Sequence, residues 1–185
     1  MLIRKLLFHE RPLFVDHLKR LPAADRQFRF VHNHITDDLI ERYVAGIAAD
    51  DLLLGCFAED RMAGAAHVAF AGGVAELGVS VDPDLRGRGV GEDLFRRASR
   101  WARNRRMDRL YTLCQADNRS MVALARKVGM TIHRESGTAE AFLALDPPDL
   151  LTVSDELSVG VNTAMQDWAD LVRTCSGVLM PAFKG

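Results

Sequence analysis

The sequence predicts an α/β protein of the α+β kind, with a mixed, mostly antiparallel central sheet flanked by helices and a C-terminal helical extension. Three observations carry that expectation. First, three apolar runs, Leu52 to Ala58, Met62 to Ala71 and Val74 to Val81, are separated only by Glu59-Asp60-Arg61 and Gly72-Gly73. Connections this short join antiparallel neighbours, because a parallel pair needs a crossover of a dozen or more residues. A doubly wound dinucleotide-binding sheet, with a helix after nearly every strand, is disfavoured. Second, Val90, Leu94, Phe95, Ala98, Trp101 and Ala102 fall on one face of a helix over Val90 to Arg106,. Third, Asp146-Pro147-Pro148-Asp149 interrupts the chain, and two prolines in succession end regular structure. The expected organisation is one domain over 1–146 and an extension over 147–185.

The remaining elements follow in order. Leu2 to Phe8 reads as a strand, since charges interrupt its apolar stretch and no small-residue cleavage site follows,. Pro12 to Leu21 has helical spacing, with the proline at its favoured early position,. Ala23 to Asn33 is less regular, and Phe28-Arg29-Phe30-Val31 reads as a short extended piece. Thr36 is an N-cap, and Asp37 and Asp38 suit the positive end of a helix carrying Leu39, Ile40, Tyr43, Val44 and Ile47,. Arg109 to Ala116 is a strand. Asn118 to Val128 is a helix stopped by Gly129,. Thr131 to Arg134 and Ala139 to Leu145 are strands around Ser136-Gly137. Beyond the break, Leu157, Val161, Ala164, Met165, Trp168, Leu171 and Val172 form the apolar stripe of an amphipathic helix,.

Composition bounds the function. The 185 residues are 48% hydrophobic and 26% charged, with a net charge of −1. That balance gives no overall attraction to nucleic acid or to a membrane surface. No apolar run approaches membrane-spanning length. Arg96, Arg97, Arg100 and Arg103 lie largely off the apolar face of their helix and read as a solvated face. Cys56, Cys114 and Cys175 are odd in number, widely spaced and without metal-ligand spacing,. They imply a reducing compartment, hence the cytoplasm, and no metal.

Between the third apolar run and the Val90 helix lies Val81-Asp82-Pro83-Asp84-Leu85-Arg86-Gly87-Arg88-Gly89-Val90-Gly91. A strand, a glycine-rich turn and a helix start form an anion site, because the first N–H groups of a helix lack partners and the glycines keep Cβ atoms out of the way. Arg86 and Arg88 add positive charge. The order G-x-G-x-G and the absence of Gly-Lys-Ser/Thr argue against a dinucleotide fingerprint and a P-loop. The expected ligand is a diphosphate at Arg86 to Gly91.

The pattern V-x-P-x-x-R-G-x-G-V-G, matched by Val81, Pro83, Arg86, Gly87, Gly89, Val90 and Gly91, resembles the acetyl-CoA signature of the GNAT superfamily of N-acetyltransferases. The helix from Asn118 to Met130 is similar to that family's N-x-x-A-x-x-L-Y-x-x-x-G-F segment at Asn118, Leu124 and Gly129. The order of elements from Leu2 to Leu145 resembles the GNAT fold. The resemblance implies acetyl-CoA as co-substrate, with Val79, Ser80 and Val81 offering backbone groups to the acetyl and pantetheine region. It also implies Arg86, Gly87, Arg88, Gly89, Val90, Gly91 and Glu92 at the diphosphate, and Asn118 on the pantetheine arm. Asn118 also reads as a plain helix N-cap. Two family roles do not carry over: the tyrosine that protonates the leaving thiolate is replaced by Ala125, and a strand glutamate used as base is replaced by Leu113.

The implied reaction is attack of a neutral amine on a thioester, so a base is required. Glu76, which interrupts an apolar strand just before the acetyl-binding segment, and His67, mid-strand, are the candidates. A surface glutamate and a hydrogen-bonded structural histidine are the competing readings. Cys114 reads as a buried apolar residue and receives no catalytic role. The expected function is direct acetyl transfer to an amine of a small molecule or protein. A CoA-binding module without catalysis and, more remotely, a dinucleotide-binding domain are the alternatives. The stripe from Leu157 to Val172 should dock, either across a two-fold axis in a homodimer, which is favoured, or on its own domain as a lid.

Overall fold

The computed structural model describes residues 1–32, 34–59, 61–149 and 153–154. The stripe Leu157 to Val172 lies outside the described residues. Met1–Pro148 forms one compact unit.

Seven strands make a single sheet: β1 (Leu2–Lys5), β2 (Leu52–Ala58), β3 (Arg61–Ala71), β4 (Val74–Val81), β5 (Arg109–Gln115), β6 (Thr131–Glu135) and β7 (Thr138–Ala144). Their order is β1-β2-β3-β4-β5-β7-β6. The meander β2-β3-β4 is antiparallel, as its short turns require. β4 and β5 are the parallel pair. The helix between them is α4 (Val90–Asn104), the crossover that a parallel connection demands,.

Alternation along the strands divides the core in two. Leu52, Leu54 and Cys56 of β2, with Ala66, Val68, Ala75, Leu77 and Leu110, pack against Val90, Leu94, Phe95, Ala98 and Ala102 of α4. Leu53 and Ala65 face the other way. They meet Phe14 and Leu18 of α1 (Arg11–Arg20) and Ile40 and Val44 of α3 (Asp37–Ala45). An apolar run such as Leu52 to Cys56 is therefore buried on both faces rather than alternating. Burying one such side chain stabilises the fold by about 1.5–3 kcal/mol. The helix α5 (Arg119–Lys127) covers β5 and β7 on the α4 side through Val122, which meets Cys114 and Ala139.

Two expectations need correction. The N-terminal strand stops at Lys5, and Phe8–Glu10 is a short 3-10 turn whose Glu10 carboxylate accepts from Leu7 N–H and pairs with Arg4. Residues read as irregular or extended form α2 (Ala23–Phe30), ended by Val31 at φ 51. Phe28 and Phe30 suggested period two, but two residues advance a helix by about 200°, so the rings leave opposite sides. Both find cover, Phe28 in the cleft described below and Phe30 edge-on to Tyr43 with ring centroids 5.1 Å apart. Thr36 caps α3 as expected, accepting from Leu39 N–H.

Candidate functional site

β4 and β5 run in register only from Val74 to Glu76, opposite Arg109 to Tyr111. Beyond Glu76 they part. The Leu77 carbonyl instead accepts from the buried Thr112 hydroxyl at 2.8 Å. That side chain satisfies an acceptor which burial would otherwise leave unpaired. The parting opens a cleft of about 590 Å³ between Gly78 to Val81 on one side and Thr112 to Cys114 on the other.

At one end of the cleft, Gly87 and Gly89 take φ +73 and φ +85. These values suit glycine and strain any residue with a Cβ. Gly89 is the N-cap of α4 and no side chain caps that helix. Its first N–H groups, at Val90, Gly91 and Glu92, therefore remain available to a ligand. Gly91 is less constrained, since a Cβ there would rest 3.5 Å from Leu124 Cδ2, an ordinary contact. Arg86 pairs with Asp25 at 2.6 Å and donates to the Val81 carbonyl. Glu92 pairs with Lys127 and Arg96, both at 2.6 Å; the Lys127 hydrogen bond, ahead of the Arg96 charge, holds its carboxyl below the usual range. Arg119 and Lys127 of α5 also line the cleft, two cations that sequence reasoning did not select. Arg88, expected at the ligand, is exposed and lies outside the lining. A glycine-lined turn, an uncapped helix end and three cations suit a diphosphate.

On the other candidates the structure is equally specific. Val79, Ser80, Val81 and Asn118 line the cleft, and Asn118 also caps α5, accepting from Met121 N–H at 3.0 Å. Ser80 Oγ lies 2.9 Å from His17 Nε2 of α1. The other ring nitrogen is 3.2 Å from Asp82 Oδ1, near enough for charge attraction but off a hydrogen-bond line. Asp82 also pairs with Arg61. Its burial works against its charge, but the neighbouring His17, with Arg20 and Arg61, holds the carboxyl below its ordinary range. This cluster tethers α1 to the end of β4.

Glu76 is exposed on the same face of β4 as Gly78 and Ser80, two residues before the cleft lining begins. His67 is buried beneath α3 and does not line the cleft. Both its nitrogens are engaged. Arg29 of α2 donates to the Tyr43 oxygen at 2.8 Å, and an arginine can only donate,. Asp51 can only accept, so in the neutral ring Nδ1 is left to accept from Tyr43 at 2.5 Å,. Nε2 carries the ring proton and donates to Asp51 at 3.0 Å. Arg29 and Tyr43 gave no signal of their own in the sequence; the spacing of Asp25 and Arg29, one turn apart, was a trace of the helix that carries Arg29. Cys114 lines the cleft and burial pushes its thiol up, away from the thiolate. Ala125, where the resembling family has tyrosine, is 2% exposed in the core beneath α5.

A parted parallel strand pair that feeds an uncapped helix end through a glycine turn defines a class of α/β proteins that bind a long diphosphate-bearing ligand edgewise in the sheet. The sequence profile of the acetyltransferase (GNAT) family matches residues 18–130. The chain belongs to that family, whose members are acetyltransferases using acetyl-CoA. Solved structures share the fold. The GNAT domain of S. lividans PAT superposes with TM-score 0.67 at 18% identity, over 77% of this chain and 89% of that one. Ribosomal-protein-alanine N-acetyltransferase from Brucella melitensis gives 0.60 at 20% identity, over 78% and 100%. Spermidine N-acetyltransferase from Vibrio cholerae, in complex with CoA and spermine, gives 0.62 at 14% identity, over 77% and 94%.

Proposed function

We propose that this chain moves the acetyl group of acetyl-CoA directly to an amine of a small molecule or protein. The observation that carries the reading is the parting of β4 from β5 directly above the uncapped N-terminus of α4. In this reading the diphosphate lies on Gly87, Gly89, Val90, Gly91 and Glu92, with Arg86 released from Asp25 to meet it. The pantetheine arm runs past Val79, Ser80, Val81 and Asn118. Arg88 stays outside this set. Free backbone N–H groups on the parted edge of β4 suit the oxyanion of the tetrahedral species.

Once the ammonium proton has left, the amine nitrogen adds to the thioester carbon, the carbonyl opens to the oxyanion, and collapse of this tetrahedral species breaks the carbon–sulfur bond. At a pKa near ~10.4 only about one amine in a thousand is neutral at pH 7.4, a deficit of roughly 4 kcal/mol. Glu76 is the base in this reading, directly or through water, because it is solvated, unpaired among the described residues and on the open face of β4. His67 has no free nitrogen for the task. With Ala125 buried, the departing thiolate takes its proton from water or from the attacking nitrogen, which must shed one more proton to become the amide.

Gly89→Asp places a carboxylate and a Cβ in the positive-φ turn. Calorimetry should show acetyl-CoA binding abolished, and unchanged affinity would remove the main support for the reading. Glu76→Gln should lower kcat by roughly 100-fold with CoA affinity retained, measured by thiol release. Binding without turnover on any amine would favour the alternative of a CoA-binding module. The organisation into 1–146 and 147–185, and a homodimer joined through the Leu157 to Val172 stripe, are supported by the apolar side chains of that stripe. A cytoplasmic location is supported by the buried free thiols of Cys56 and Cys114. No helix among the described residues is long and apolar enough to cross a membrane.

A further inference from the structure

We propose that the acceptor amine carries a carboxylate and that Arg29 binds it. The proposal rests on the acetyl-transfer reading and names the substrate class of that same site. Arg29 sits near the end of α2 and lines the cleft. Its guanidinium lies against Gly78, where a Cβ would run into Cζ, Nη1 and Nη2. Glycine at this point of β4 is what leaves room for a planar cation at the cleft wall.

The cation is held in place by a chain built from three other segments. Tyr43 of α3 accepts from Nη2, His67 of β3 accepts from Tyr43, and Asp51 accepts from His67. The rings of Tyr43 and Phe30 lie 5.5 and 5.3 Å from Cζ. Four ordered groups thus fix one guanidinium over one glycine.

What this arrangement lacks is an anion. Among the described residues no carboxylate pairs with Arg29, and its Nε is buried without a partner. Asp25, one helical turn earlier, is placed by spacing to neutralise it, yet it pairs with Arg86 instead. Asp51 is separated from it by both Tyr43 and His67. Arg29 is partly exposed and lines the cleft, and the guanidinium fork matches a carboxylate through two parallel hydrogen bonds. The ligand diphosphate is the wrong candidate: Gly78 precedes the end of β4 by three residues, roughly 10 Å at 3.3 Å per residue, and the glycine turn lies beyond that. Glu76 is two residues away on the same face, roughly 7 Å. A small amine held by its carboxylate at Arg29 therefore presents its ammonium group within reach of the base.

The test uses matched acceptors in the thiol-release assay: glycine against methylamine, and 4-aminobutyrate against propylamine. The wild-type protein should favour the carboxylated member in kcat/KM, and Arg29→Met should lower that preference by about tenfold or more, with Arg29→Lys between. Differences in amine basicity are common to both proteins and cancel in this ratio. An unchanged ratio in Arg29→Met overturns the proposal, since a guanidinium serving only the oxyanion or the fold lowers both members alike. A binding measurement separates this from failure of the transfer reading. In protein saturated with CoA, N-acetylglycine should bind more tightly than N-methylacetamide, and Arg29→Met should erase the difference. If no amine is acetylated but this difference holds, the carboxylate site stands and the transfer reading falls. If amines are acetylated without the preference, or the two amides bind alike, the carboxylate site falls.

Discussion

At His67 burial and hydrogen bonding pull in opposite directions. Burial pushes the imidazole below its usual range, the Asp51 hydrogen bond pulls it up, and the charge of Arg29 pushes it down again, leaving it lowered. In the neutral ring Nε2 donates to Asp51 and Nδ1 accepts from Tyr43. A histidine whose folded pKa is depressed contributes stability that is present above its unfolded value, about 6.5, and is lost as pH falls through the folded value. The urea midpoint should therefore be higher at pH 7.5 than at pH 5.5. In His67→Gln that difference should shrink, while the midpoint at pH 7.5 also falls. A slope as steep in His67→Gln as in wild type would assign the pH dependence to other groups. The same protonation would turn the Tyr43–His67 bond around, with Nδ1 donating to the phenol oxygen that also accepts from Arg29.

At the scale of the element, α5 shows how one position can depart from a family pattern without a local substitute. Val122 and Ala125 turn inward while Leu124 lines the cleft. Ala125 packs among Met130, Ala141 and the core beneath α4. Ala125→Tyr should therefore not create a proton donor. It should overpack the core and destabilise the protein by about 1–3 kcal/mol, read as a lower urea midpoint, with kcat not raised. The elements of this fold were legible to different degrees for physical reasons. β2, β3 and β4 announced themselves because short turns and apolar runs are local facts, and the glycine turn because positive φ has few solutions. α2 was misread because Phe28 and Phe30 serve two surfaces at once. The parting of β4 from β5 has no local signature, since Thr112 supports the parted edge only through its contact with Leu77. Arg29, Tyr43, His67 and Asp51 become a group only when α2, α3, β3 and the approach to β2 are brought together.

At the scale of the whole molecule, the sheet is two blocks, β1-β2-β3-β4 and β5-β7-β6. They meet through three registered residue pairs of β4 and β5, the Thr112 hydroxyl, the helix α4 that lies across the core, and α2, which touches both strands. The parted strands leave backbone groups facing each other across open space where a continuous sheet would have ladder bonds. A ligand that enters the gap and bridges its two walls acts as a strut between the blocks, and it does so only in the folded chain. Mass action then ties resistance to heat to co-substrate concentration. At a hundred times the dissociation constant, binding adds about 2.7 kcal/mol. For a chain of this size that corresponds to a melting temperature higher by about 5–10 °C, checked by calorimetric scans with and without CoA. A melting temperature that ignores CoA even at high concentration would mean that the folded chain does not bind it. The amides along the parted edge of β4 should be the ones whose hydrogen exchange slows most, so the architecture that admits the co-substrate also makes the protein's endurance a reading of how much of it the surroundings hold.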